Sequence, residues 1–231
     1  QRKCLEECFK NSANFYNYLL AIAQIGFQHG VQFTELELQK LEPVVRGDGI
    51  PSDVIHLTLM DDFKNNKRRI LGKKNHGLSP GKLKQQKIEK ASHCHFSGKS
   101  IKFSHNKLRL QKIGYVKCII HRPVIGSLRY CTITKSASGK FYASIVTKDN
   151  HPPTIPSVKS TIGIDVGLTT FAADSEGKLI KNPKFFEKDK KKLARAFRKL
   201  HNMEKFSKNW KKQVLKIAII YEKIHFRQKD F

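Results

Sequence analysis

The sequence predicts an α+β chain in three stretches: N-terminal helices, a small antiparallel β-barrel, and a short hairpin sheet that runs into a basic helical hairpin. Three observations lead there. Apolar residues recur at helical spacing near the start, strand-like alternation punctuated by turn residues sets in after residue 92, and helical spacing returns after Pro183 among many lysines and arginines.

In the first region, 1–92, Leu5, Phe9, Tyr16, Leu19 and Ala23 fall on one face at 3.6-residue spacing, which predicts a helix. A second helix is predicted over 54–70, where Ser52 and Asp53 after Pro51 supply N-cap chemistry. From Leu71 to Lys90, Gly, Lys, Gln and Asn predominate with few apolar anchors, so 71–90 reads as a basic loop without order of its own. Residues 93–150 alternate as Ile101/Phe103, Leu108/Leu110, Cys131/Ile133 and Tyr142/Ser144/Val146. Turns at Gly98, Asn106, Gly126 and Ser138-Gly139 divide these strands, as in a small antiparallel sheet or barrel. His151-Pro-Pro-Thr-Ile-Pro156 sustains neither strand nor helix, which makes 151–157 a stiff linker and 158–231 a third region.

That third region places a carboxylate, Asp165, inside an apolar strand between Gly163 and Gly167. If Ile162, Ile164 and Val166 point into a core, the period of two sends Gly163, Asp165 and Gly167 to the opposite face, leaving the carboxylate on a surface cleared of side chains. Such a surface suits a divalent metal and a phosphodiester approaching the backbone closely. Leu168–Ala173, the turn Asp174-Ser-Glu-Gly177 and Lys178–Pro183 then read as two further strands, with Asp174 and Glu176 spent on the turn. Such a sheet by itself exposes an edge and an unfilled core face. A helical hairpin follows over 184–231. Leu193, Phe197 and Leu200 form the apolar stripe of its first helix, and Trp210, Val214, Ile217, Tyr221 and Ile224 that of its second.

Charge narrows the class of partner. The chain carries 45 Lys and Arg against 19 Asp and Glu, a formal net charge of +26. Residues 1–62 hold 5 basic and 9 acidic side chains, whereas 63–148 hold 21 basic and only Glu89, and 149–231 hold 19 and 9. So little sign mixing is self-repulsive unless phosphates screen it, which favours nucleic acid. Lys67, Arg68, Arg69, Lys73, Lys74, Arg122, Lys191, Lys192, Arg195, Arg198, Lys199, Lys211 and Lys212 are the candidate phosphate contacts. Aromatics are interleaved with them, as in Phe206-Ser-Lys-Asn-Trp210, offering faces for unpaired bases. No apolar run approaches the roughly 18 residues of a membrane-spanning helix, so no membrane role is expected. Five cysteines at positions 4, 8, 94, 118 and 131, with no CxxC pair, support neither a disulfide framework nor a zinc ribbon and suit a reducing, intracellular setting. His93-Cys94-His95 is a poor metal site, since adjacent strand residues point to opposite faces.

Several blocks occur in an order that resembles the TnpB (OrfB) family, the probable transposases of bacterial and archaeal insertion sequences, relatives of the type V CRISPR effectors. They are Lys112–Lys117, His121–Gly126, Ser138–Ser144, Gly163-Ile-Asp-Val-Gly-Leu168 with Phe171-Ala, Ser175-Glu-Gly177 and Asn182-Pro183, Lys191–Leu200, and Lys216–Ile224 with Arg227–Phe231. Together they cover about residues 100–231; upstream only a Phe15-Tyr-Asn-Tyr18 helix is loosely similar. The resemblance implies a wedge-like barrel that holds a guide RNA, the start of a ribonuclease-H-like (RuvC) domain, a cytoplasmic prokaryotic setting, and guide RNA and DNA as partners. It also implies Mg²⁺ held by Asp165 as catalytic carboxylate. In the family a second and a third catalytic carboxylate and a four-cysteine zinc ribbon lie downstream of the position of Phe231. By this resemblance the chain is a fragment or decayed copy truncated at both ends. His201-Asn-Met-Glu204 stands where relatives are mostly basic, and Trp210 where Arg is common.

Three functions follow as expectations. One is an RNA-guided DNA endonuclease in which Asp165 holds a metal that activates water, although with Asp165 as the single carboxylate the 231-residue chain would not cleave. Another is a nuclease-dead RNA- or DNA-binding protein or transposon relic. The third is an ATP-dependent phosphotransferase of the actin and sugar-kinase type, whose first phosphate loop is also similar to Gly163–Thr170; the chain's length and charge suit it poorly.

Overall fold

Leu5, Phe9, Tyr16 and Leu19 are buried together on one face of a single long helix, α1 (Arg2–Gln28), as their spacing predicts. The computed structural model describes residues 1–31, 33–45, 54, 84–148 and 160–230. After α1 come α2 (Glu35–Gln39), α3 (Glu42–Val45), β1 (His93–Ser97), β2 (Ile101–Ser104), β3 (Lys107–Leu110), β4 (Gly114–Lys117), β5 (Ser127–Lys135) and β6 (Phe141–Lys148). They are followed by β7 (Ile164–Val166), β8 (Thr170–Asp174), β9 (Leu179–Lys181), α4 (Phe185–His201) and α5 (Lys208–Asp230). Two units result: Gln1–Ser136 with Phe141–Asn150, and Ala137–Lys140 with His151–Phe231. The expected helix over 54–70, apart from Val54, most of the basic loop 71–90 and the linker 151–157 lie outside the described residues.

In the first unit α1 buries a wider arc than its predicted stripe, adding Cys8, Ala13, Phe15 and Leu20. All of these but Ala13 share one core with Val54 and with Cys94, Phe96, Ile101, Leu108, Leu110, Cys131 and Ile133 from the strands. Polar contacts fix the helix over the sheets. Lys135 donates to Glu6 at 2.5 Å, and Asn17 accepts from the Gln86 amide and donates to its carbonyl at 2.7 and 2.8 Å. At α2, Thr34 and Glu37 form a capping box, which satisfies amide donors that the first helical turn leaves open.

The strands do not close into the expected barrel. β1-β5-β6 and β2-β3-β4 are two separate antiparallel sheets, each hydrogen-bonded only within itself. Closure requires a shared tilt and stagger around the ring. Here β5 and β6 span 9 and 8 residues while β2, β3 and β4 span 4 each, so the edges have no common ladder. The chain passes between sheets through a 3₁₀ turn at Gly98–Ser100. A Cβ at Gly98 would overlap the Leu128 carbonyl, where the β5–β6 register shifts between Leu128 and Tyr130. The parity expected for β6 is also reversed: Phe141 and Ile145 pack on the core, while Ser144 and Val146 face out. Pairing with β5 sets this phase, since Cys131 sits opposite Ile145 and Ile133 opposite Ala143.

All five cysteines are free thiols. Burial pushes the Cys8 thiol up to about 11 and Cys131 to about 12, with smaller contributions from Cys4 and Glu7 on the first and Cys118 on the second. Cys94 is raised likewise by burial, then by Cys8 and Cys131. A thiol reagent is therefore expected to modify exposed Cys4 first and half-buried Cys118 more slowly, with Cys8, Cys94 and Cys131 reacting only on unfolding. Mass-spectrometric mapping of the labelled sites tests that order. A second expectation concerns Gly98→Ala, which has to displace strand backbone and is expected to cost about 3 kcal/mol, the upper end for overpacking. Gly139→Ala, with φ +80° and open space around it, is expected to cost only about 1 to 2 kcal/mol. Paired denaturant melts compare the two.

Candidate nucleic-acid interface

Asp165 sits in the middle of β7, paired across to Ala173 of β8 in a sheet of order β7-β8-β9. Cross-strand partners share a face, so the carboxylate lies beside Ala173, with Gly163 and Gly167 in phase with it along the chain. The immediate neighbours of Asp165 on that face are small, and Leu179 of β9 follows beyond Ala173. At Gly167 a Cβ would come within 3.0 Å of the Thr170 carbonyl, so a side chain there is disfavoured. The opposite face departs from expectation. Ile162, Ile164 and Val166 are 52%, 67% and 69% exposed and point into no core; among the described residues of this sheet only Ala172 is buried. Asp174 and Glu176 belong to the β8–β9 turn: the Asp174 carboxylate accepts from the Glu176 and Lys178 amides at 3.0 and 2.8 Å. Among the described residues no group of three His, Cys, Asp or Glu side chains gathers to hold a metal. Asp165 is one ligand and does not by itself fit a metal site.

The helical hairpin holds the cations. Its seam is Leu193, Ala196 and Leu200 of α4 against Ile217, Ile220 and Ile224 of α5. This shifts the predicted stripe of α5 by roughly 50° about the helix axis, with Ile217 and Ile224 common to both. Gln213, not Val214, is buried, and it can be because its Nε2 donates to the Ala196 carbonyl at 2.9 Å. Val214 and Tyr221 lie on the exposed margin, where Tyr221 meets the equally exposed Phe197 edge-on at 6.4 Å. At the other end of the seam stands Asp189, 5% exposed. It accepts from Lys192 at 3.1 Å and from Arg227 at 2.5 Å, tying the start of α4 to the end of α5.

Asp189 was not singled out by sequence, although the signal existed. It lies four residues before Leu193, in phase with Ala196 and Leu200, and so on the buried stripe despite its charge. Of the candidate phosphate contacts, Lys191, Arg195, Arg198, Lys199, Lys211 and Lys212 are exposed, and none is ion-paired to a described carboxylate. Lys192 is already paired with Asp189. Arg122 is exposed in the loop between β4 and β5 of the first unit. Lys67, Arg68, Arg69, Lys73 and Lys74 lie outside the described residues. Lys208, Lys216 and Lys223 are exposed cations of α5 not singled out above. No described helix is long and apolar enough to cross a membrane.

A family model described as "Probable transposase" (OrfB) matches residues 144–231, the stretch that carries Asp165 and the helical hairpin. Over these residues the chain is similar to the OrfB probable-transposase family. The chain is also 32% identical over 127 residues to "Putative RNA-guided DNA endonuclease InsQ" of Escherichia coli (strain K12), covering 55% of this chain and 31% of that protein. It is 33% identical over 100 residues to "Putative RNA-guided DNA endonuclease" of Streptomyces pristinaespiralis, covering 43% and 25%. The chain thus spans a third or less of the length of these curated relatives.

The helical hairpin yields a pH-dependent expectation. The Lys192 ammonium, hydrogen-bonded to Asp189, and the Arg227 guanidinium hold that carboxyl below its ordinary 3.8 against the opposing effect of burial. Because folding lowers this pKa, the stability it contributes is complete above 3.8 and is lost as pH falls below that value through the folded one. Asp189→Asn is therefore expected to lower the melting temperature at neutral pH, since Arg227 loses its charged partner, and to flatten the acid limb of the stability curve. Far-UV circular dichroism melts over a pH series read both effects.

Proposed function

We propose that this chain is a nucleic-acid-binding protein of the transposon-associated, RNA-guided DNA endonuclease kind, with guide RNA and DNA as its ligands. The observation that carries the reading is the helical hairpin within the family-matched stretch, which keeps an array of exposed, unpaired lysines and arginines on a tightly pinned seam. A phosphate backbone is the ligand chemistry such an array fits, and held cations release counterions on contact with it. The two relatives named as RNA-guided DNA endonucleases support the same class. In this reading the β7–β9 sheet and the hairpin open a ribonuclease-H-like (RuvC) domain.

Asp165 is the residue this reading assigns to a divalent metal, Mg²⁺ by resemblance. Metal-assisted phosphodiester hydrolysis places several carboxylates around two ions about 4 Å apart, and one exposed carboxylate supplies neither the charge nor the geometry. No hydrolytic step is therefore derived from Asp165 alone.

Fluorescence anisotropy with labelled RNA and DNA over a salt series tests the binding. The 231-residue chain is expected to bind with a strong salt dependence and, with Mg²⁺ present, to leave the nucleic acid intact. The triple change Lys191→Glu, Arg195→Glu and Arg198→Glu is expected to weaken binding to all sequences alike and to reduce the salt slope by roughly one per lost phosphate contact. Asp165→Ala is expected to leave affinity unchanged. Salt-independent binding, or cleavage by the chain alone, would contradict this reading.

A further inference from the structure

We propose that the turn of the α4–α5 hairpin is a stacking platform for an unpaired base of a single-stranded nucleic acid, formed by Phe206 and Trp210. The proposal rests on the nucleic-acid reading above and deepens it by naming the form of the strand and the place that holds it.

Phe206 has φ 66°, a left-handed conformation that bulky residues seldom enter and that costs free energy when they do. The conformation turns an aromatic ring toward solvent. Phe206 is 73% exposed although it lies against Trp210, with ring centroids 5.4 Å apart and planes tilted by 48°. A ring serving only to staple the start of α5 would be buried against the helix. The platform nevertheless has a firm base. Ser207 Oγ accepts from the Trp210 amide at 3.1 Å, and the Lys211 amide donates to the Ser207 carbonyl at 3.0 Å, so the first turn of α5, which carries Trp210, is capped.

Charge supplies the rest. Lys205, Lys208, Lys211 and Lys212 surround the pair in sequence, all exposed and none ion-paired to a described carboxylate, with Glu204 the sole acid from 202 to 215. An aromatic face ringed by ammonium groups is the arrangement that holds a base by stacking and its flanking phosphates by charge. A duplex keeps its bases stacked on one another and offers the rings no face. The platform therefore discriminates single from double strand, which the cations alone do not.

Trp210 is the sole tryptophan of the chain, so its emission reports on this turn and nothing else. The 231-residue chain is titrated at fixed salt with oligothymidylate, with oligouridylate, with a duplex of the same length and with anionic phospholipid vesicles. Single strands are expected to quench Trp210, and the stronger of the two single-stranded arms identifies DNA or RNA as the source of the base. Phe206→Gly suits the left-handed backbone and so keeps the turn. It is expected to weaken single-strand affinity roughly 5- to 140-fold, the range for one lost stacking partner, while duplex affinity stays the same. If the wild type binds single strands but Phe206→Gly binds them equally well, or if duplex quenches Trp210 as strongly, the platform is overturned while the electrostatic reading of the hairpin stands. If the wild type binds neither single strand nor duplex, or responds to vesicles alone, both readings fall.

Discussion

Two helices carrying 14 basic and 4 acidic side chains lie antiparallel, and what the second unit presents depends on the seam that offsets their repulsion. The apolar part of that seam is narrow and would by itself permit the helices to slide. Two polar pins remove that freedom. Asp189 grips Arg227 near the open end, and Gln213 reaches the Ala196 carbonyl toward the turn. A slip by one turn would leave a buried carboxylate without its cation and a buried amide without its acceptor, each costly in a dry environment. Register is thus held by the cost of the wrong registers as much as by the apolar contacts, and every exposed lysine, arginine and aromatic of the hairpin inherits its position from it.

The β7–β9 sheet is the converse case, an element ordered by its own ladders and turns rather than by a core. The Asp174 carboxylate closes one turn on two backbone amides, and Ser175 exchanges hydrogen bonds with Gly163 beyond the end of β7. These local bonds keep three short strands paired while Ile164 and Val166 remain in contact with water. The same openness keeps Asp165 hydrated. An exposed carboxylate attracts a divalent ion only as strongly as a single charge in water can, and that is weak until further ligands displace the ion's own water. Metal binding at Asp165 would depend on whatever covers this sheet, whereas the exposure of the hairpin's cations does not.

Much of the fold was legible in the sequence because its signals were local. The turns at Gly126 and Gly139, the three strands around Asp174–Gly177 and the face of α1 each follow from residues close in the chain. What escaped is long-range. Whether six strands form one barrel or two sheets depends on which edges meet, and the matched lengths needed for closure leave no mark on alternation alone. Gly98 looks like an ordinary turn glycine, yet its role is to make room for the Leu128 carbonyl thirty residues on. The parity of β6 was misleading for a related reason: Tyr142 and Val146 are apolar, but β5 dictates that Phe141 and Ile145 face the core.

The error in α5 carries the most meaning. Reading Trp210, Val214 and Tyr221 as core treats aromatics on an amphipathic helix as the residues most in need of burial, and a glutamine as surface. The partner helix reverses both assignments. Ala196 exposes a carbonyl that satisfies Gln213, and the displaced stripe emerges as a margin on which Tyr221 and Phe197 meet and at whose end Trp210 supports Phe206. Exposed aromatic surface is unfavourable in water by itself, and a left-handed phenylalanine adds to that cost. A hairpin already strained by its own charge has little reason to carry such residues for stability. Their positions, between cations and at a capped turn, become intelligible when the surface is one that the bases and phosphates of a bound strand complete.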